Sequence, residues 1–198
     1  MSEERRLKIV IVVGSVRPGN YTAKAAALVA DELGKDPDVA VDVIDPSVLE
    51  LPPPGVDPES AVAREIQEKV KAASGVVLAT PEYHGSFSSV MKLVIENLGF
   101  PSVLRGKPVA LLGVAAGSFG AIKSLEQLRS VCAHVGAIAL PLPVSVAGVQ
   151  KAFDADGSPT DSAVDKRVRG VGTGLMDYLR NNVCPKMQLE QLLREGTV

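Results

Sequence analysis

"LKIVIVVGSVRPGNYT", residues 7 to 22, decides the fold. Leu7 to Val13 is apolar except for Lys8 and rich in β-branched side chains, and it runs straight into a polar turn. A short continuous apolar run of this kind reads as a strand buried on both faces, the habit of parallel sheets covered by helices. Three further runs have the same character, Val39 to Ile44, Gly75 to Thr80 and Pro108 to Val114, with Val135 to Leu140 as a weaker fifth. Helical periodicity fills the intervals. Ala23, Ala26, Ala27, Ala30 and Leu33 share one face, as do Val62, Ile66, Val70 and Ala73. Val90 to Leu98 follows, then Ile122, Leu125, Leu128 and Cys132, and last Val164, Val168, Val171, Leu175 and Leu179. Strand and helix thus alternate five times, which predicts right-handed βαβ crossovers and an α/β three-layer sandwich around a five-stranded parallel doubly wound sheet.

The chain of 198 residues, 46% of them hydrophobic, suffices for one core. A single domain is expected over residues 1–183, with a C-terminal amphipathic tail over 184–198 carrying Met187, Leu189, Leu192 and Leu193. The formal net charge of -2 and the lack of a basic block argue against a nucleic-acid partner. Cys132 and Cys184 stand in no metal-ligand or redox spacing and fit a reducing cytoplasm. The first apolar run is shorter than a signal-peptide core and far short of the roughly 18 to 20 residues that span a bilayer, so no membrane association is expected.

In doubly wound sheets ligands bind beyond the carboxyl ends of the strands, where the winding reverses. Three loops lie there. In the first, "GSVRPGNYT" (14–22), Gly14 permits a tight turn, Ser15, Asn20 and Thr22 offer polar side chains, and Arg17 adds a charged fork of donors at the start of a helix. This is a phosphate cup without the glycine and lysine spacing of a P-loop or of a dinucleotide turn. In the blander reading Asn20 or Thr22 caps the helix and Arg17 is solvated. The second loop, "TPEYHGS" (80–86), presents consecutive N–H groups and the Tyr83 ring to a planar heterocycle. His84 in it has no matched nucleophile or carboxylate and is read as positional. The third, "AAGSFG" (115–120), is a second backbone-rich platform or simply a flexible turn. A phosphate cup and two platforms suit a mononucleotide bearing a flat tricyclic ring, and FMN is the natural candidate. The long stretch Ser145 to Thr160 is a functional flap or a mobile connection, and "FDADGSPTD" within it lacks the third acid and closing glutamate of a calcium loop, so no metal is expected.

"GSVRPGNYT", "PEYHGSFSSVMKLVIENL" and "LLGVAAGSFGAIKSLEQLR", in this order and spacing, resemble the NADPH-dependent FMN reductase family of flavodoxin-like proteins, over roughly Leu7 to Pro141. The resemblance implies a flavodoxin-like fold, FMN as cofactor and NADPH or NADH as hydride donor. Its acceptors are small: free flavin, a quinone, an azo compound or a metal oxyanion. It places phosphate ligands at Ser15, Arg17, Asn20, Tyr21 and Thr22. Ring contacts fall at Pro81, Glu82, Tyr83, His84, Gly85 and Ser86, and a third flavin loop at Ala115, Ala116, Gly117 and Ser118. No side chain is assigned as catalytic, because flavin N5 carries the hydride. The chain departs from many members at Ser88 and Ser89, where they have Pro-Gly, and at Asn20, where they have serine. Arg17, Arg105 and Lys123 are the basic residues available to a 2′-phosphate. Two rivals remain, an electron-carrier flavodoxin without its own turnover and a module that has lost its flavin. Low aromatic content and near-neutral charge disfavour the carrier. The resemblance also implies pairing through the helix of "SSVMKLVIENLGF", and hence a homodimer or homotetramer.

Overall fold

The computed structural model describes residues 7–185 and residue 193. Four long parallel strands form the centre of the sheet: β1 (Leu7–Val13), β2 (Val39–Ile44), β3 (Gly75–Tyr83) and β5 (Pro108–Val114). Their order is β2-β1-β3-β5, completed by two short strands, β6 (Ile138–Ala139) and β7 (Val144–Val146), which both pair with β5. The fifth position of the sheet is therefore a broken strand, displaced toward the C-terminus from the expected Val135 to Leu140. Pro141 and Pro143 explain the break, since a proline cannot donate to a ladder. A two-residue strand β4 (Ser86–Phe87) folds back antiparallel on the end of β3.

The apolar runs are continuous because alternate residues serve opposite layers. Ile9, Ile11, Val13, Val77, Ala79 and Leu112 face α1 (Tyr21–Gly34) and α6 (Ser162–Tyr178). Val10, Val12, Val76, Leu78 and Leu111 face α2 (Ala61–Ala72), α3 (Ser89–Asn97) and α4 (Ile122–His134). The helix faces differ in detail from the expected ones. In α1 the buried stripe is Thr22, Ala25, Ala26, Val29 and Leu33, and Ala27 is exposed. In α2 Ala63 takes the place expected for Val62, and in α4 Ile122 is exposed. Alanine-rich and mixed helices carry a weak periodic signal, so the stripe is rotated by one residue without loss of burial.

The stretch Ser145 to Thr160 carries structure of its own after β7. A one-turn helix, α5 (Val149–Ala152), buries Val149, Ala152 and Phe153 against the sheet, and Phe153 bridges to Pro159. The Lys24 ammonium donates to the carbonyls of Asp154 (3.0 Å) and Ala155 (3.4 Å), which ties this stretch to α1. No helix among the described residues is long and apolar enough to cross a membrane. Met187, Leu189 and Leu192 of the amphipathic C-terminal stretch lie outside the described residues.

Candidate functional site

β2 lies on one side of β1 and β3 on the other, so the winding reverses between β1 and β3. Their carboxyl ends open into a cleft of about 530 Å³ lined by residues from all three loops, including Arg17, Asn20, Tyr21, Thr22, Tyr83 and Ala115. Pro81, Glu82 and Ala116 complete the expected set in the lining, and Val149 and Gln150 of α5 join it. Ser15, His84, Gly85, Ser86, Gly117 and Ser118 stand outside that lining. Sequence reasoning missed the contribution of α5, whose one signal was the unusually long polar connection before α6.

Gly14 is where β1 ends and the loop begins. A Cβ here would lie 2.9 Å from the Ala79 carbonyl oxygen and 3.0 Å from Met91 Cε, so only glycine lets the loop turn this tightly over β3. Ser15 follows, 2% exposed, and its Oγ is a buried polar atom without a hydrogen-bond partner. An orphaned buried hydroxyl costs about 1 to 3 kcal/mol, which an isolated structural serine has no reason to bear and an oxygen-rich ligand would relieve. Asn20 caps α1: its Oδ1 accepts from the Ala23 N–H at 2.7 Å and its Nδ2 donates to the Arg17 carbonyl at 2.8 Å. The N–H groups of Tyr21 and Thr22, in the first turn, have no intrahelical partner. The N-terminal dipole of α1, the orphan hydroxyl and the charge of Arg17 in the same loop are features that suit an anion.

The second loop is shaped by backbone. His84 adopts φ +50° and Gly85 φ +75°, consecutive left-handed residues that turn the chain back into β4. Ser86 Oγ donates to Gln127 Oε1 at 2.7 Å and Gln127 Nε2 donates to the Gly85 carbonyl at 3.0 Å, so α4 holds this turn. Glu82 is engaged as well. Its Oε2 accepts from the Ser124 N–H at 3.0 Å, placing a carboxylate at the N-terminus of α4 where the helix dipole favours it. α4 lacks a side-chain cap of its own, and Ser145 Oγ accepts from the Ala121 N–H at 2.8 Å to supply one from β7. The third loop is anchored by main-chain bonds from Gly148 N–H to the Gly117 carbonyl (3.1 Å) and from Val149 N–H to the Ala115 carbonyl (3.0 Å). Ala116, Gly117 and Ser118 remain exposed beside the cleft.

The family model for NADPH-dependent FMN reductase matches residues 7–151, the span that carries all three loops and α5 up to Lys151. The chain belongs to the NADPH-dependent FMN reductase family. Among its relatives, an NADPH azoreductase of a Bacillus species is 33% identical over 146 residues, covering 72% of this chain and 78% of the relative. An NAD(P)H-dependent FMN reductase of Pseudomonas aeruginosa is 30% identical over 168 residues, covering 78% and 85% respectively. Among solved structures, the flavoenzyme NAD(P)H:(acceptor) oxidoreductase FerB of Paracoccus denitrificans superposes with a TM-score of 0.73 over 88% of this chain and 97% of that one, at 22% identity. The flavodoxin-like reductase fold is common to both. For this FMN reductase family member, the orphan Ser15 hydroxyl and the open N-terminus of α1 fit the phosphate of FMN, and the adjoining backbone-rich loops fit its ring.

Proposed function

We propose that this chain is an FMN-dependent NAD(P)H oxidoreductase that reduces a small acceptor, with its flavin held across the cleft at the ends of β1, β3 and β5. The buried, partnerless Ser15 Oγ carries this reading, because it belongs to the β1–α1 loop whose Arg17, Asn20, Tyr21 and Thr22 line the cleft. In the assignment, Ser15, Arg17, Asn20, Tyr21 and Thr22 hold the phosphate. Pro81 to Ser86 and Ala115 to Ser118 face the ring. The chemistry FMN supplies when bound is hydride exchange at its N5, first with the reduced nicotinamide and then with the acceptor.

The protein's part is to bind, orient and leave one side accessible. Asn20 fixes the first turn of α1, so Tyr21 and Thr22 offer their N–H groups in a set direction. Glu82 and Gln127 tie the β3 loop to α4, so main-chain donors near the ring need no rearrangement, the arrangement that stabilises developing charge most cheaply. Ala116 to Phe119 are exposed at the rim, which leaves room for nicotinamide and acceptor in turn. Relatives named as an NADPH azoreductase and a 2-hydroxy-1,4-benzoquinone reductase support azo compounds and quinones as acceptors, with free flavin and metal oxyanions as further members of the class.

We also propose a homodimer, or a tetramer of dimers, working in the cytoplasm. A groove of about 910 Å³ runs between the ends of α3 and α4; Ile95, Val131, Val135 and the 97% exposed Phe100 line it together with Lys92, Glu96, Arg105 and His134. An exposed aromatic ring in a groove of mixed apolar and charged lining suits a self-complementary contact with a second copy. The experiment for the enzymatic reading is a visible spectrum of the purified protein, then anaerobic titration with NADPH and with NADH. A yellow protein bleached by either nucleotide and recoloured by benzoquinone is expected. A colourless protein that takes up no FMN would overturn the reading, and a yellow one that neither nucleotide bleaches would leave an electron carrier.

A further inference from the structure

Gly14 sets a problem that its own conformation does not solve. The close approach to β3 requires a residue without a Cβ there, and such a residue restrains its own backbone less than any other type would. The peptide that follows it carries the Ser15 N–H, which has no hydrogen-bond partner among the described residues. Two bonds remove the freedom. The Gly14 N–H donates to the Ala79 carbonyl at 2.7 Å, and the Gly14 carbonyl accepts from Ser88 Oγ at 2.6 Å. Ser88 is 2% exposed and itself fixed, since its Oγ accepts from the Met91 N–H at 3.0 Å and its N–H donates to Thr80 Oγ1 at 3.2 Å.

We infer that Ser88 is a positioning residue for the phosphate cup, acting through the Gly14–Ser15 peptide. A trans peptide is planar, so its carbonyl and its N–H point in opposite directions. Ser88 holds the carbonyl toward the start of α3, and the Ser15 N–H is thereby held away from α3. Donation to the carbonyl also polarises the amide, which strengthens the same N–H as a donor. Ser88 thus couples the cap of α3 and the β3 strand to the anion seat, a link that no residue of the cup makes for itself. The inference rests on the assignment of this cup to the phosphate of FMN.

The test compares FMN with riboflavin, which lacks the phosphate, by fluorescence titration of the full-length, flavin-stripped chain. Wild type is expected to bind FMN more tightly than riboflavin. Ser88→Ala is expected to lose about 3- to 10-fold in FMN affinity, the worth of one ordinary hydrogen bond, with riboflavin affinity unchanged. Because Ser88 also caps α3, Ser88→Gly serves as the second variant: glycine at a cap position is nearly as good as serine for the helix and has no hydroxyl to donate. It should reproduce the selective loss. If either folded variant weakened both flavins equally, or neither, while wild type preferred FMN, Ser88 would be only a helix cap and the inference would fall with the cup assignment intact. A wild type that bound both flavins equally would overturn the cup assignment and the inference with it.

Discussion

The Arg17 guanidinium lies 5.7 Å from the centre of the Tyr83 ring, so the charge of the β1–α1 loop rests on the aromatic of the β3 loop. Both residues line the cleft, and both are exposed at its mouth. The contact joins the anion seat to the ring platform without an ion pair that would compete for a phosphate.

Arg17→Ala is expected to weaken FMN far more than riboflavin. A hydrogen bond to a charged group contributes about 1.5 to 3 kcal/mol, which corresponds to roughly 10- to 100-fold in Kd. The measurement is fluorescence titration with each flavin. Equal losses for the two would remove Arg17 from the phosphate.

His84 supplies a backbone conformation. At φ +50° an asparagine is nearly as comfortable as a histidine, whereas a β-branched residue bears a cost of about 1 to 2 kcal/mol. His84→Asn should therefore keep flavin binding and turnover, and His84→Val should lower Tm by about 2 to 8 °C in a chain of this size. A fall in flavin reduction of roughly 100-fold in the asparagine variant would instead make the imidazole a general acid or base.

What the sequence discloses and what it conceals divide along physical lines. Leu7 to Val13 and Pro108 to Val114 are legible because a strand buried on both faces must be apolar at every position. The loop after β1 is legible because glycine, arginine and hydroxyl side chains before a helix have few other uses. Ser88 is not. As a departure from Pro-Gly it looks conservative, yet its hydroxyl reaches Gly14, 74 positions away, with a donor that proline does not have. Glu82 reads as a residue near the ring, and its carboxylate turns out to be bonded to the start of α4, a contact fixed only when β3 and α4 are packed. The broken fifth strand was equally hidden, because Leu140 to Pro143 separates two fragments that find the same neighbour, β5, only in three dimensions.

Acid should loosen the packing of α1 on α6 in a defined window. Arg169 on α6 donates to Asp165 at 2.8 Å and reaches across to Asp31 and Glu32 on α1. The Arg169 hydrogen bond holds the Asp31 carboxyl below its ordinary value, and the bond from Lys35, with Arg169 behind it, does the same for Glu32. A carboxylate with a depressed folded-state pKa stabilises the protein above its ordinary value, and that stability is lost as pH falls through the folded value. The window therefore opens below about pH 4.5. Thermal melts at pH 7, 5, 4 and 3 should give a steeper acid decline for wild type than for Arg169→Met, with the two curves converging at the lowest pH. Parallel curves would show that the cluster contributes nothing to the acid response.

Assembly offers the last prediction. On α3, Met91, Val94, Ile95 and Leu98 are buried within the chain, and Asn97 is also taken, donating to the Pro52 carbonyl at 3.0 Å and the Leu93 carbonyl at 2.9 Å. Val90 and Leu93 are half-buried, so less of this helix is free than its apolar pattern suggests. The free apolar surface lies at its end, in Phe100 and the apolar part of the groove it lines. Phe100 touches so little of its own chain that Phe100→Glu should leave Tm nearly unchanged, while a charge placed in an apolar contact between copies is not tolerated. Light scattering should therefore report at least a dimer for wild type and a mass near the 20.7 kDa of one chain for the variant. Leu93→Glu, on the half-buried flank, is expected to act in the same direction at some expense in stability. A wild-type monomer would dispose of the assembly, and a folded Phe100→Glu protein that stayed oligomeric would move the contact away from the α3–α4 groove.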